Sequence, residues 1–106
     1  MEVKLLMAYN IKPEREAEYY RYMLGEFLPA LQNMGMIMTE GWHTAYGDYP
    51  MRLFGFRAEN EHRLHHTIHG NEWLEAKEKL LKLVSNYEER IVAAKSVFQF
   101  FIPAQK

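Results

Sequence analysis

The segment that most constrains the fold is VKLLMAY, residues 3–9, because it is apolar on both of its alternating sides. Side chains along a β-strand point in turn to opposite faces of the sheet. The odd-numbered positions are all apolar, and Leu6 and Ala8 make the other side apolar as well. A strand with this pattern is covered on both faces. The segment therefore predicts a strand in a sheet that has material packed on both sides.

A long amphipathic helix is predicted from Glu14 to Met34. Pro13 suits a first helical position, and Gly35 suits the C-cap. Pro29 falls inside the helix and should kink it, because proline lacks the N–H and its ring disrupts the preceding turn. The apolar residues recur every three or four positions, which is the spacing of one helix face: Ala17, Tyr20, Leu24, Phe27, Leu28, Leu31 and Met34.

The second half of the chain predicts three more strands and a divided helix. Residues 36–48 and 51–59 predict a pair of strands joined by turn residues. Asn60 can cap a short helix, and Gly70 separates that helix from a longer one. Residues 96–102 predict a final strand that is apolar on both faces. The longer helix is expected to bury one stripe of side chains: Trp73, Leu80, Val84, Tyr87 and Ile91.

The element order β-α-β-β-α-β predicts an α+β fold, a ferredoxin-like domain with an antiparallel sheet spanning residues 1–106. Helices would cover one face of that sheet and leave the other apolar face in water. Each large side chain left exposed there would cost about 1.5–3 kcal/mol relative to burial. The simplest remedy is a second copy packed against the open face. We therefore expect a homodimer that forms a dimeric α/β barrel.

Composition narrows the classes of partner. The net charge of −1 gives no sign of a nucleic-acid or anionic-membrane partner. The chain has no cysteine, which excludes disulfides, thiolate metal sites and a cysteine nucleophile. No window approaches the roughly 18 apolar residues of a membrane span. The first apolar run is interrupted by Lys4 and lacks the long apolar stretch of a signal peptide. A cytoplasmic protein is the expectation.

Five segments carry a family resemblance: YNIKP (9–13), EYY (18–20), FLPALQNMG (27–35), EGWHTAYGD (40–48) and NEWLEAKEKL (71–80). Together they resemble the NIPSNAP-like branch of the dimeric α/β-barrel superfamily. That superfamily also holds antibiotic-biosynthesis monooxygenases and haem-degrading monooxygenases. The resemblance implies a ferredoxin-like homodimer. It leaves the chemistry open, because members include oxygenases, isomerases and decarboxylases.

Four of the five histidines fall within residues 59–73. At about 100° per residue, all four occupy one arc of a helix, and Leu64 and Ile68 lie on the opposite side. An apolar pair must face the core, so the histidines face solvent or a dimer edge. This reading concerns His62, His65, His66 and His69.

A metal site is the weaker alternative for these histidines. The pairs His62–His66 and His65–His69 have the i,i+4 spacing that can hold one zinc or nickel ion. However, the segment has no HExxH motif and the chain has no thiolate. A third ligand would have to be a glutamate or a residue of a partner subunit. We therefore predict no metal and no other cofactor.

His43 lies on the second predicted strand and would face either the helix-covered core or the dimer side. A histidine there is either a hydrogen-bonded structural residue or a general acid/base in a cavity. Arg52 and Arg57 flank the third strand. Each is either a solvated strand-end residue or an arginine that holds a carboxylate in the cavity.

Aromatic residues at strand spacing usually form core, but together with seven methionines they could wall a pocket for a flat apolar molecule. The predicted ligand-binding set is Tyr9, Trp42, Tyr46 and Arg57. His43 is the predicted catalytic residue.

These expectations combine into a dimer that binds a small apolar or aromatic molecule between sheet and helices. Its activity would be oxygenase-like or isomerase-like without a cofactor, with His43 taking a proton from the substrate. The alternative is a non-enzymatic dimeric binding module. A third possibility is haem binding through a helix histidine, with Asn10 and a tryptophan nearby.

Overall fold

Four antiparallel strands form a single sheet in a computed structural model that describes residues 3–44 and 51–93. The strand order is β2-β3-β1-β4, so β1 and β3 are central. Together with the helices between β1 and β2 and between β3 and β4, this order confirms the predicted ferredoxin-like α+β fold. The strands are β1 Val3–Ile11, β2 Ile37–Thr44, β3 Met51–Ala58 and β4 Val84–Ala93.

The helices pack on one face of this sheet. A 3₁₀ turn, Pro13–Arg15, leads into the first of them. As predicted, Asn60 caps the first helix after β3: its side-chain oxygen accepts a hydrogen bond from the Arg63 N–H at 2.8 Å. No described helix is long and apolar enough to cross a membrane. The helices are α1 Glu16–Tyr22, α2 Leu28–Asn33, α3 Glu61–Ile68 and α4 Asn71–Leu81.

A π-helical segment, Met23–Phe27, joins α1 to α2. The Leu28 N–H bonds to the Met23 carbonyl five residues back, rather than four. Pro29 has no N–H with which to continue an α-helical ladder to Gly25, and its ring crowds that carbonyl. The disturbance predicted at Pro29 is therefore present, and it takes the form of a wide turn that accommodates one extra residue.

The extra residue changes which side chains of α1 face the sheet. Tyr19 and Met23 are buried, at 1% and 2% exposure. Ala17, Tyr20 and Leu24, which were expected to point inward, are exposed. The predicted stripe was wrong from Ala17 to Leu24 because it assumed an unbroken α-helical period along the whole helix.

The main core lies between the helices and the sheet face that carries Tyr9 and Phe56. Phe27, Trp73 and Leu80 from the helices are almost completely buried against it. Burying aromatic side chains of this size dominates the stability of a small domain.

The fourth strand begins where the sequence predicted helix. The helix ends at Leu81, and the following residues from Val84 form β4 along β1. A bulge sets two residues, Asn86 and Tyr87, opposite the single residue Tyr9. Asn86 has a φ of 56°, the left-handed conformation that asparagine tolerates. The predicted strand at 96–102 lies outside the described residues.

The face of the sheet away from the helices is largely buried within the single chain. Leu6, Ala8 and Leu53 on this open face are at most 4% exposed. The centre of this face is therefore buried without a second copy, and the expected homodimer stays a prediction. Apolar exposure remains along β2, where Ile37 is 56% and Trp42 is 48% exposed.

Candidate functional site

Three neighbouring strands bring a polar cluster together at one end of the helix-covered face. Tyr9 lies near the end of β1, and the register pairs it with Arg52 near the start of β3. On the other side of β3, the register pairs Arg52 with His43 on β2. Paired residues of antiparallel strands share a face. Positions 9, 52 and 43 therefore stand in one row across the sheet.

Helix α1 adds two tyrosines to this row. The hydroxyls of Tyr9 and Tyr19 are 2.7 Å apart, and both side chains are 1% exposed. Arg52 donates a hydrogen bond from Nη2 to the Tyr20 hydroxyl, and its guanidinium carbon lies 5.4 Å from the centre of the Tyr20 ring. That position suits a cation–π contact. The π-helical segment is what turns Tyr19 inward and leaves Tyr20 beside Arg52.

Tyr87 on β4 completes an aromatic layer around Tyr9. Its ring stacks on that of Tyr9, with centroids 6.1 Å apart. The Tyr87 hydroxyl donates to Glu89 Oε1 at 2.8 Å, and Lys77 Nζ lies 3.0 Å from the same oxygen. Glu89 is thus already engaged by a cation and a hydroxyl.

Burial keeps these phenols protonated. It is the largest cause that raises the pKa of Tyr9, Tyr19 and Tyr87 above the ordinary value of 10.0. The hydrogen-bonded carboxylate of Glu89 raises the pKa of Tyr87 further. The positive charge of Arg52 acts in the opposite direction on Tyr9 and Tyr19 and is smaller. Near neutral pH the tyrosines are therefore neutral hydroxyl groups.

Arg52 is the incomplete member of the group. Its Nε is buried and has no hydrogen-bond partner. No carboxylate in the described parts of the chain pairs with its guanidinium. Buried polar atoms in folded proteins nearly always find a partner, so an unpaired one needs an explanation. We call Tyr9, Tyr19, Tyr20, Arg52 and position 43 the Arg52 cluster.

The predicted site residues do not all meet. Tyr9 and position 43 belong to the Arg52 cluster, whereas the register places Trp42 and Arg57 on the open face. The structure therefore does not bring Trp42 and Arg57 together with Tyr9. Positions 42 and 43 are neighbours on one strand and therefore belong to opposite faces of the sheet. Tyr46 lies outside the described residues.

The ligand-binding set predicted from the sequence named Arg57, whereas the structure places Arg52 on the face of Tyr9, and that set did not include the tyrosines of α1. Arg52 and Arg57 are five positions apart on one strand, an odd separation, so only one of them can share the face of Tyr9. Arg52 alternates in step with Phe54 and Phe56, and this pattern was the available signal. No sequence signal marked Tyr19, because its inward position depends on the π-helical segment.

The open face holds a polar group of the opposite kind. Lys4 Nζ and Glu40 Oε2 form an ion pair at 2.8 Å, with side chains only 10% and 14% exposed. Glu40 on β2 reaches Lys4 on β1 across Gly55 of β3, the strand between them. A Cβ at Gly55 would lie 2.8 Å from Glu40 Cδ. This pair is complete in itself and serves the fold.

The histidine face points to solvent as predicted. Leu64 is buried and Ile68 packs against the core, whereas all four histidines are exposed. The His65 and His69 rings stack with centroids 6.2 Å apart, and His69 Nδ1 lies 2.7 Å from the His65 carbonyl oxygen. Within residues 3–44 and 51–93, no three or more His, Cys, Asp or Glu side chains are placed to hold a metal ion.

Two surface grooves bear on ligand binding. A polar groove of about 420 Å³ adjoins His66 and lacks the apolar walls that haem requires. An apolar groove of about 270 Å³ runs between α2 and the edge strand β2. Its walls are Leu28, Gln32, Met36, Ile37, Met38 and Phe56.

Solved structures of low sequence identity share this architecture. An uncharacterised NIPSNAP domain protein from Burkholderia xenovorans has a TM-score of 0.66 at 12% identity, over 88% of this chain and 93% of that one. A NIPSNAP family protein from Agrobacterium tumefaciens gives 0.65 at 14%, over 87% and 91%. A proposed antibiotic biosynthesis monooxygenase from Nitrosomonas europaea gives 0.61 at 5%, over 87% and 88%.

The chain has their ferredoxin-like fold. The resemblance to NIPSNAP-like and monooxygenase-like barrels is thereby confirmed in structure. No protein-family model matches the chain, and no curated protein matches it in sequence. Identities this low establish fold alone, so the chemistry has to be argued from the site.

Proposed function

We propose that this protein is a homodimeric, single-domain small-molecule-binding protein with its ligand at the Arg52 cluster. Its activity is oxygenase-like or isomerase-like and needs no cofactor. The observation that carries the proposal is the buried, unpartnered Nε of Arg52 beside buried neutral tyrosines. Fixed donors of this kind stabilise negative charge that develops on a substrate oxygen.

Both chemistries begin with the removal of a proton from the substrate. The proton comes from a carbon atom that is bonded either to a carbonyl carbon or to a ring carbon that carries a hydroxyl group. His43 is the proposed base, because the register sets position 43 beside Arg52. Charge left on the substrate spreads to its oxygen, and the cationic guanidinium of Arg52 favours that state. The partly exposed rings of Tyr87 and Phe54, which pack against Tyr9, supply flat apolar surface for the rest of the molecule.

We propose that the second copy packs along β2, where the open face stays apolar and exposed. Ile37 and Trp42 both lie on that face. Trp42→Lys should shift the protein from dimer to monomer in analytical ultracentrifugation. The control is Leu81→Lys, at an exposed position of α4, which should leave the protein a dimer. A wild-type monomer at micromolar concentration would contradict the dimer. We also propose a cytoplasmic location for this dimer.

Turnover tests the catalytic part of the proposal. Aromatic acids and quinols that raise the melting temperature would be followed for loss of substrate absorbance and for oxygen uptake. We expect His43→Ala to lower turnover by about 100-fold or more, the usual contribution of a general base. His69→Ala, on the exposed face of α3, should leave it unchanged. Ligand binding without turnover in the wild type would instead favour the non-enzymatic binding module.

A further inference from the structure

The hydroxyl pair of Tyr9 and Tyr19 leaves one hydrogen without an acceptor. Each phenol has a single O–H donor. At 2.7 Å one hydroxyl donates to the other, and the second keeps its own hydrogen free. No other hydrogen bond of either hydroxyl is found to the described residues. Because both side chains are buried, bulk water does not supply the missing acceptor.

Arg52 supplies a second free donor close by. A guanidinium has five N–H donors and no acceptor. Nη2 is taken by Tyr20, whereas the buried Nε–H points to no partner. The register pairs Arg52 directly with Tyr9, and its positive charge opposes the burial-driven rise in the pKa of both Tyr9 and Tyr19.

Among the described residues, the carboxylate beside the aromatic layer is already engaged. Glu89 forms an ion pair with Lys77 and accepts a hydrogen bond from the Tyr87 hydroxyl. A site with free donors and a positive charge disfavours ligands that would present a cationic amine there. It fits an oxygen that only accepts, and a negatively charged oxygen fits best.

We propose that the Arg52 cluster recognises its ligand as an anion, through an ionised oxygen on a planar carbon. Carboxylates, phenolates and enolates share this chemistry. The oxygen accepts from Arg52 Nε–H and from the hydroxyl hydrogen that the Tyr9–Tyr19 pair leaves free. This inference rests on the proposed function, since it names the ligand class of the same site, and it requires no catalysis.

The probe is 4-nitrophenol, whose absorbance reports directly whether it is bound as phenol or as phenolate. With wild-type protein, the absorbance titration of the bound probe should move to lower pH by about one pH unit, the effect of a neighbouring arginine. The neutral analogue 4-nitroanisole should bind about tenfold more weakly, which is the equivalent of that shift. Benzoate and benzamide form a second pair of smaller probes. Benzoate carries the negative charge and benzamide is its neutral analogue.

Arg52→Met should abolish the shift, and Arg57→Met is the matched control. Arg57 has the same side chain on the same strand but faces the other way, so its loss should leave the shift intact. Arg52→Lys keeps the charge but lacks Nε, and it should retain only part of the shift. This variant keeps the test decisive if Arg52→Met fails to fold.

The outcomes separate the inference from the function it rests on. Equal binding of the charged and neutral probes, unaffected by Arg52→Met, would overturn anion recognition while leaving a ligand site in place. Binding of neither probe pair to the wild type would overturn the ligand site as well. If the pH shift of the bound probe were complete in Arg52→Met and lost in Arg57→Met, the anion would bind on the open face. That outcome would also overturn the inference.

Discussion

The two faces of the sheet both bury charged side chains, but they treat them differently. On the open face, Lys4 and Glu40 satisfy each other at 2.8 Å. On the helix-covered face, Arg52 keeps a buried donor without a partner. Removing one member of a buried ion pair leaves an uncompensated charge and destabilises the fold strongly. A donor that is already unpaired adds no hydrogen bond to the fold, so its removal should cost little stability, as expected of a group that binds a ligand.

The largest effect is expected on the open face. Glu40→Ala should lower the free energy of unfolding by about 3–5 kcal/mol, because Lys4 would remain buried without its counterion. Denaturant titration measures this value. The control is Glu59→Ala, which removes the exposed ion pair between Glu59 and Arg63, whose Oε1 and Nε atoms are 3.9 Å apart. This variant should change the free energy of unfolding by less than about 1 kcal/mol. Similar losses in the two variants would mean that the Lys4–Glu40 pair has no special role.

Gly55 offers an independent way to break the same pair. An added Cβ would crowd Glu40 Cδ at 2.8 Å and Leu6 Cδ2 at 3.1 Å. Gly55→Ala should therefore displace the Glu40 side chain and destabilise the protein. In a Glu40→Ala background the same change should matter much less, because the crowded group is gone. Strictly additive losses would contradict this coupling.

Arg52→Met should have a much smaller effect on folding, and this result would sharpen the contrast between the faces. It removes the contact with Tyr20, and it also removes a buried donor that no residue satisfies. The expected change in unfolding free energy is about 1 kcal/mol or less, measured by the same denaturant titration. A loss as large as that of Glu40→Ala would make Arg52 a structural residue and would undermine the proposed ligand site.

Sequence periodicity predicted the elements whose spacing is unbroken and failed where one residue is inserted. The strands β1 and β3 and the Asn60 cap follow local rules and were predicted correctly. In the first helix, the π-helical segment Met23–Phe27 adds a residue, so Tyr19 rather than Tyr20 faces the sheet. An inserted residue of this kind shifts every preceding position by about one place on the helix.

The fourth strand shows the converse error. Val84, Tyr87 and Ile91 are separated by three and four positions, the spacing of a helix face. Four positions are also two strand repeats, which suits Tyr87 and Ile91 on one face of β4. The bulge at Asn86 lets Val84 and Tyr87, three apart, pack on the same face as well. A bulged strand thus carries the same pattern as a helix.

The site was less predictable than the fold because it depends on pairings between distant residues. Tyr9 and Tyr19 meet through the packing of α1 on the sheet, and Lys4 and Glu40 meet across an intervening strand. Strand alternation alone does show that Arg52 and Arg57 face opposite ways. To know which of the two arginines shares the face of Tyr9 requires the pairing register between β1 and β3, and the sequence alone does not give that register.

The smallest expected effect concerns Tyr22, whose hydroxyl has an acceptor, in contrast to the Tyr9–Tyr19 pair, which leaves one hydroxyl hydrogen without an acceptor. The Tyr22 hydroxyl donates to the Ala76 carbonyl at 2.7 Å, and burial, with a smaller contribution from Glu26, raises the pKa of Tyr22 to about 12. Between pH 10 and about 12 the unfolded phenol ionises before the folded one, so the unfolded state binds fewer protons and stability falls as pH rises. Tyr22→Phe should make this loss of stability with pH shallower in thermal melts between pH 10 and about 12. From pH 7 to 9 the melting temperatures of the variant and the wild type should change in parallel.

Equal slopes above pH 10 would show that Tyr22 ionises alike in the folded and unfolded states. The alkaline loss would then belong to the other buried phenols, Tyr9 and Tyr19 among them, whose pKa is raised in the same direction.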